Sequence, residues 1–434
     1  MLTVIGFSII VLIVVLLMTG KANPIIAMSA IPVIGAFCAG YGITDISGFI
    51  EHGLRKVSPV ATMFLFAIIF FSLMKDLNVF TPLIRMMIGI TKGNVVIVTM
   101  VTALTAAVVH LDGSGAATFL IIIPAFLPLY TRLGINPYLM LLIMCMSMGV
   151  MNMVPWGGPL GRASAVTEIP ASTLWQSIIP VQIIGVAFAT IIAGIFGYRE
   201  SIRIKKNLAG KFIDAHIESN SMIFDSIGQD KKAQKPFLNF SLIIFSILML
   251  AFGLLPASYV FMIALSLALL LNYPSPKTQM NIIMKHAPQA VNMVAIIMSA
   301  GVFLGVMDKG GMLNSLATHV LYVIPEKFIP ILHVLVGVLG VPLDIFTSTD
   351  AYYFALLPIV SDIVGTVGIS PQSVVYAMAI GNNAGTFISP FSPAVWLGVG
   401  LAGLDMGKHI RYSFLWIWLF SFIPLSAGYF LGLY

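Results

Sequence analysis

The sequence predicts an all-α polytopic membrane protein made of two inverted repeats, each with five spans, one re-entrant hairpin and one broken helix. Three features of the chain predict it. First, 59% of its 434 residues are hydrophobic and only 9% are charged, whereas a soluble domain carries about 25% charge. With a mean hydropathy of +1.03, the chain lacks the polar residues to cover a water-facing surface. Second, apolar runs recur along the whole length, broken only by short polar punctuation. Third, the landmarks of the first half return in the same order in the second: Pro59 and Pro288, Asp76 and Asp308, Asp112 and Asp344, Pro124 and Pro358. The turn Gly134-Ile135-Asn136-Pro137 likewise returns as Gly368-Ile369-Ser370-Pro371, and Pro155 and Pro159 return as Pro390 and Pro393. An ordered series of this kind reads as an internal duplication. In secondary transporters, duplication puts the substrate at the repeat interface near the bilayer midplane.

Taken in order, each half opens with three apolar spans: Leu2–Thr19, Pro24–Ala39 and Pro59–Met74, then Phe237–Leu255, Ala257–Leu271 and Pro288–Val306. The first run has no basic leader and no small-residue cleavage site, and reads as a retained span. A mildly amphipathic segment follows in each half, Val79–Thr91 and Met312–Ile324, with the composition of an interfacial helix. Next come two apolar arms joined by a polar tip, Asn94–Leu111 with Ala116–Tyr130, and Ile329–Leu343 with Ala351–Val364. A proline-broken span (Tyr138–Ser164; Ser373–Leu401) and an intact one (Ile178–Phe196; Ser413–Leu431) complete each half. The predicted organisation is therefore a first repeat over 1–197 and a second over 237–434, with hairpins at about 94–132 and 328–364 and broken helices at about 138–164 and 373–401. Between the repeats lies a basic cytoplasmic linker, 198–236, carrying Arg199, Arg203, Lys205, Lys206, Lys211, Lys231, Lys232 and Lys235.

Basic residues decide between hairpins and full spans. If both arm pairs re-enter the bilayer, each half crosses five times, an odd number, and the halves are inverted. Lys21, Lys75, Arg85, Lys92, Arg132, Lys277, Lys285, Lys408 and Arg411 then fall on the cytoplasmic side with the linker, leaving Arg55, Lys56, Lys309 and Lys327 outside. That distribution obeys the positive-inside rule, and it accounts for the net charge of +6 without an anionic macromolecular partner. The prediction is ten spans in the plasma (bacterial inner) membrane, two hairpins entering from opposite faces, and both termini outside. No nucleic-acid partner is expected. Cys38 and Cys145 stand in apolar runs with neither a disulfide framework nor metal-ligand spacing.

The chemistry is concentrated at the tips and the breaks. The first tip reads His110-Leu111-Asp112-Gly113-Ser114-Gly115 and the second Asp344-Ile345-Phe346-Thr347-Ser348-Thr349-Asp350. Non-helical backbone at membrane depth is tolerated only where it is buried in protein or lines a cavity, and each tip leads into a helix N-terminus that favours an anion. The competing reading is a pair of turns at the lipid surface. A carboxylate at the bilayer centre costs roughly 2.5–3.5 kcal/mol on insertion scales. Asp112, Asp344 and Asp350 are therefore candidates for proton coupling, and Asp112 and Asp344 also for contact with a substrate-bound cation; helix capping is their bland alternative.

The breaks read Asn152-Met153-Val154-Pro155-Trp156-Gly157-Gly158-Pro159 and Gly381-Asn382-Asn383-Ala384-Gly385-Thr386-Phe387-Ile388-Ser389-Pro390. Closely spaced prolines end an α-helix, and unwinding frees carbonyls and N–H groups for a ligand. The predicted substrate-binding set is Gly113, Ser114, Gly115, Asn152, Gly157, Gly158, Arg162, Thr347, Ser348, Thr349, Asn382, Asn383, Thr386 and Ser389. Arg162 could grip a carboxylate with two parallel hydrogen bonds, or pair within the protein with Glu168 or a tip aspartate. His110 and His333 read as packed neutral residues, the 25 methionines as packing and lipid-facing filler. Trp156 and Trp396 are expected to shape the cavity, and Trp416 and Trp418 to pack on lipid.

Four stretches, His110–Arg132, Asn152–Arg162, Thr347–Tyr353 and Gly381–Pro393, resemble the citrate–divalent-metal:proton symporter family (CitMHS), and the likeness runs along essentially the whole chain. The resemblance implies the ion transporter superfamily fold, with a scaffold domain and a moving transport domain in a homodimer. It also implies proton-driven uptake of citrate complexed with Mg²⁺, Ca²⁺ or a similar ion, the metal being part of the substrate and no resident cofactor being expected. Related divalent-anion:sodium symporters carry Ser-Asn-Thr at both tips, where this chain has Gly113-Ser114-Gly115 and Thr347-Ser348-Thr349, which weighs against sodium coupling. A metal complex also suits the charge pattern, because free citrate would bring about three negative charges against the tip aspartates, at about 4 kcal/mol per like-charge pair at 4 Å and an effective dielectric of 20.

The rival within transport is carriage of another organic anion (tricarballylate, a dicarboxylate or gluconate), with sodium coupling as a variant. A membrane enzyme or respiratory subunit would need paired haem or quinone ligands, and the seven histidines are scattered without such spacing. A passive channel is the third rival, and accumulation against a gradient would exclude it.

Overall fold

The computed structural model describes residues 1–19, 21–208, 235–321, 325–346 and 348–434. Every regular element among them is helical. Helices α1 (Leu2–Met18) and α2 (Pro24–Cys38) precede a long α3 (Ile43–Asp76). Asn23 starts α2 by accepting from the Ile26 N–H at 2.9 Å, with Pro24 at the first helical position, the placement that cap chemistry favours. The short α4 (Thr81–Ile90) leads to the first hairpin, α5 (Val95–Val109), a 3₁₀ turn (His110–Asp112) and α6 (Gly115–Arg132). The broken helix is α7 (Pro137–Met151) and α8 (Gly158–Thr167), followed by α9 (Ala171–Leu208).

The second half repeats the order. Helices α10 (Pro236–Ala251) and α11 (Ala257–Asn272) precede the long α12 (Pro276–Lys309) and the short α13 (Met312–Leu321). The second hairpin begins with a 3₁₀ turn (Glu326–Ile331), continues as α14 (Leu332–Val338) and α15 (Gly340–Phe346), and returns through a π turn (Ala351–Leu356) and α16 (Leu357–Gly365). The second broken helix is α17 (Pro371–Asn382), a 3₁₀ turn (Gly385–Phe387) and α18 (Pro393–Leu401), and α19 (Met406–Phe430) closes the chain.

By length and composition, six helical stretches could cross a bilayer among the described residues: α3, α5 with its 3₁₀ turn, α6, α9, α12 and α19. The entering arm of the second hairpin is bent by 63° between α14 and α15. The shorter apolar helices α1, α2, α7, α10 and α11 run 15–17 residues.

Three predicted boundaries move. Helices α3 and α12 each run 34 residues, beginning well before Pro59 and Pro288, where the sequence placed the start of each span. Both prolines sit inside a continuous helix, because the stretch before each is itself helix-compatible. Likewise α9 continues to Leu208, into the segment read as a linker from 198 on. Of that linker, 209–234, with Lys211, Lys231 and Lys232, lies outside the described residues.

Helices α3 and α12 pack closely against each other. A Cβ added at Gly53 would stand 1.9 Å from the Gly301 carbonyl oxygen, and one at Gly305 would stand 2.1 Å from that of Phe49. Gly301 and Gly305 are four residues apart, the small-residue spacing that lets two helix backbones touch in an apolar setting. On either side of this crossing, α2 packs against α12 and α11 against α3. Since α2 and α11 are counterparts, as are α3 and α12, each half lends its second helix to the other half's third. Ion pairs follow the same exchange. Asp76 at the end of α3 holds Lys285 and His286 of α12, the latter at 3.0 Å, while Asp308 at the end of α12 holds Lys56 of α3 at 3.0 Å.

The two broken helices lie inside. Leu139 through Val150 of α7 and Val374 through Asn382 of α17 are buried without interruption, as expected of helices apolar all round. They touch at their breaks, where a Cβ on Gly149 would meet the Ala384 Cα at 2.6 Å. Overpacking of a filled interior costs about 1–3 kcal/mol. Gly53→Val and Gly305→Val are therefore expected to lower the melting temperature of the detergent-purified protein by several degrees. Gly48→Ala, where nothing lies within 4 Å, is expected to leave it unchanged.

Candidate transport site

Both tips and both breaks converge on one cavity of about 590 Å³. From the first tip it is lined by Asp112, Gly113, Ser114 and Gly115, from the second by Ser348, Thr349 and Asp350. The breaks contribute Asn152, Trp156, Gly158 and Arg162 on one side and Thr386, Phe387 and Phe391 on the other. The tips are thus inside the protein and not on its lipid face.

The first tip is shaped by its own sequence. Gly113 takes a left-handed conformation, φ 70°, and a Cβ there would crowd Trp156 at 3.1 Å. The turn is closed by Asp112, whose carboxylate accepts from the Ser114 N–H at 2.8 Å. Ser114 caps α6 by accepting from the Ala117 N–H at 3.2 Å. Trp156 reaches across from the break, its indole N–H donating to the Leu111 carbonyl at 2.7 Å. Its ring stacks on Phe71 with centroids 5.3 Å apart and meets Phe261 edge-on at 4.9 Å. Behind the tip, the fully buried His110 shares a 2.9 Å hydrogen bond with Thr118, and its Nε2 has no partner among the described residues.

The second tip is built differently. Ser348 Oγ accepts from the Ala351 N–H at 3.2 Å, and Asp350 accepts from Arg162 Nε at 2.7 Å, both side chains being largely buried. Asp344 is fully buried and is not on the cavity wall. Thr386, which is on the wall, donates to its Oδ2 at 3.3 Å, and Ser389 Oγ donates to its main-chain oxygen at 2.6 Å. The other carboxylate oxygen, Oδ1, has no hydrogen-bond partner among the described residues.

Of the predicted binding residues, Gly113, Ser114, Gly115, Asn152, Gly158, Arg162, Ser348, Thr349 and Thr386 line the cavity. Gly157, Asn382, Asn383 and Ser389 lie behind it. Gly157 tightens the break, where a Cβ would stand 2.1 Å from the Asn152 oxygen, and Asn382 donates to the Gly340 carbonyl at 3.2 Å. Thr347 lies outside the described residues. The guanidinium of Arg162 is committed to Asp350, one of the alternatives open in the sequence, while Glu168 pairs with Lys56 at 2.8 Å. Trp396 does not shape the cavity; it is 55% exposed, turned outward with its indole N–H on the Pro390 carbonyl. Trp418 is only partly exposed and donates to the Val338 carbonyl at 2.8 Å.

Sequence reasoning missed one wall. Ser72 and Lys75 of α3 and Gln289 and Asn292 of α12 also line the cavity. The duplication signal did not single out these four positions, and Lys75 sits where a basic residue is expected at a span end. Among the described residues no group of three or more His, Cys, Asp or Glu is arranged to hold a metal ion.

Residues 1–381 match the family model described as "Citrate transporter". The chain belongs to the citrate transporter family. Within curated proteins of Bacillus subtilis (strain 168), a "Citrate transporter" is 32% identical over 96% of this chain and 95% of its own length. A "Mg(2+)/citrate complex secondary transporter" is 28% identical over 100% and 99%. The crystal structure of the Alcanivorax borkumensis YdaH transporter, whose title reports an unusual topology, superposes with a TM-score of 0.55 over 90% of this chain and 88% of that one, at 15% identity. It shares the fold. As a citrate transporter family member, this chain is a multi-pass membrane transporter whose two tips and two breaks enclose one polar cavity.

Breaking a buried ion pair strands a charge at about 3–5 kcal/mol, whereas replacing both partners with apolar side chains is often neutral. Asp350→Asn is accordingly expected to destabilise the protein, and Arg162→Met with Asp350→Leu to recover most of the loss in a thermal unfolding series. Equal stability of the single and the double variant would show that the pair is not coupled.

Proposed function

We propose that this chain is a secondary transporter that takes up citrate as its complex with a divalent cation, driven by protons. The charge inventory around the cavity carries the reading. Its wall holds Lys75, Arg162, Asp112 and Asp350; Arg162 and Asp350 cancel each other, and Asp344 is buried behind Thr386. With Asp112 and Asp344 protonated, these groups leave one positive charge. A divalent cation on fully ionised citrate leaves about one negative charge, and the loaded site is neutral. Free citrate would leave about two negative charges uncompensated, at about 4 kcal/mol for each close like-charge pair. Binding the complex therefore favours protonated aspartates, and this is the coupling: substrate and protons enter together or not at all.

The carboxylates and hydroxyl of the ligand have matching donors in Ser114, Ser348, Thr349 and the amide of Asn152. Two of the relatives carry citrate or Mg²⁺/citrate in their names, which supports the same substrate. On this proposal the halves are inverted repeats with ten spans, two opposed hairpins and both termini outside, and the matching order of elements in the two halves supports a repeat. In this reading the hairpins and broken helices move as one body past the α3–α12 crossing, in a homodimer set in the plasma membrane.

Proteoliposomes test it. With an acid exterior, Mg²⁺–citrate uptake is expected to exceed that of citrate with a chelator by about tenfold or more, and to collapse when a protonophore is added. Uptake indifferent to the chelator would overturn the metal complex, and uptake driven by a sodium gradient alone would overturn proton coupling. Tricarballylate, gluconate and dicarboxylates with Mg²⁺ serve as competitors. Asp344→Asn is expected to lose proton-driven accumulation while retaining citrate counterflow; accumulation that still falls as external pH rises would remove Asp344 from the coupling.

A further inference from the structure

We infer that Lys75 sets the charge of the ligand that the cavity accepts, so that the loaded site favours a complex carrying one negative charge over a neutral one. This rests on the transport reading above and deepens it. The cavity wall carries two cations, Lys75 and Arg162. Arg162 is spent on Asp350 at 2.7 Å, whereas the side chain of Lys75 forms no ion pair or hydrogen bond among the described residues. Its neighbour in sequence, Asp76, turns away to Lys285 and His286. Lys75 lines the same cavity as the first-tip carboxylate Asp112.

The duplication separates this lysine from the scaffold. The structural pairs at the ends of the crossing helices come in duplicate, Asp76 with Lys285 and Asp308 with Lys56. The position that corresponds to Lys75 next to Asp308 is Met307, fully buried and apolar. A cation at position 75 is thus not something the fold requires twice. Lys75 also stands where the cavity meets a second one of about 270 Å³, lined by Asp76, Asn78, Phe80, Thr81, Ile84 and Ile121 as well as by Lys75. Gln289 and Asn292, the exposed amides three residues apart on α12, share this end of the wall. A point charge flanked by amides suits a carboxylate that the metal leaves free. A Mg²⁺–tricarboxylate complex has such a surplus charge; a Mg²⁺–dicarboxylate complex has none.

The test measures the affinity of purified protein for Mg²⁺–citrate and for Mg²⁺–malate by titration calorimetry in excess Mg²⁺, in wild type, Lys75→Gln and Lys75→Arg. Lys75→Gln is expected to weaken Mg²⁺–citrate by about tenfold or more, about 1.4 kcal/mol, without weakening Mg²⁺–malate, and Lys75→Arg to stay within about threefold of wild type for both. A smaller loss for citrate, or a parallel loss for both complexes, would overturn the inference. So would a loss above about tenfold in folded Lys75→Arg, which keeps the charge and remains informative should Lys75→Gln not fold. Wild type that binds no Mg²⁺–citrate would instead refute the transport reading itself, so the two failures are distinguishable.

Discussion

Backbone that leaves a helix inside an apolar protein must find hydrogen-bond partners there, and this demand organises the interior of the molecule. Four segments do so: two hairpin tips and two helix breaks. None can satisfy its N–H and C=O groups against lipid, and the partners they find lie inside the protein. The indole of Trp156 in one break closes on the Leu111 carbonyl of the first tip. Ser389 and Thr386 in the other break close on Asp344 of the second tip. The polar cavity is what remains between segments that had to meet. Its position follows from the folding constraint, and its chemistry was then free to specialise.

The crossing of α3 and α12 supplies the rigid counterpart. Glycines at 53, 301 and 305 bring the two backbones into contact, and the exchanged helices α2 and α11 brace the crossing from both sides. Two long helices fixed in this way can carry Lys75, Gln289 and Asn292 as a wall that belongs to neither hairpin nor break. The cavity is therefore bounded by two kinds of structure: close-packed regular helices on one side, and unwound backbone with glycine and hydroxyl residues on the other.

The parts legible in the sequence were those where polar residues interrupt an apolar run. Gly113, Ser114, Asn152, Gly158, Ser348 and Thr386 stand in such interruptions and line the cavity. Residues that face the cavity from an unbroken helix gave no such signal. Lys75 ends a span, and a basic residue there is what topology alone predicts; Gln289 and Asn292 follow Pro288, which read as a boundary and proved internal to α12. Depth was the other gap. Asp112 and Asp344 hold matching places in the duplicated sequence, but one lines the cavity and the other is sealed behind Thr386. Periodicity cannot separate them, because what covers Asp344 is Thr386 and Ser389 of a distant break. Outward-facing Trp396 escaped as well: its orientation depends on the local turn around Pro390.

Duplication also makes departures from symmetry informative. At one end of the crossing, Lys56 reaches beyond Asp308 to Glu168, at 2.8 Å, the left-handed residue that ends α8. Its counterpart in the second half is Gly403, with the same left-handed turn, φ 64°, and no side chain with which to reach Lys285. The turn is thus kept in both halves while the carboxylate is kept in one. Among the described residues, one end of the crossing pair is tied by charge to a broken helix, and the other, where Lys75 and the exposed amides of α12 stand, is not. Two halves with the same order of elements thus acquire unequal ends through one side chain at a backbone bend that both share.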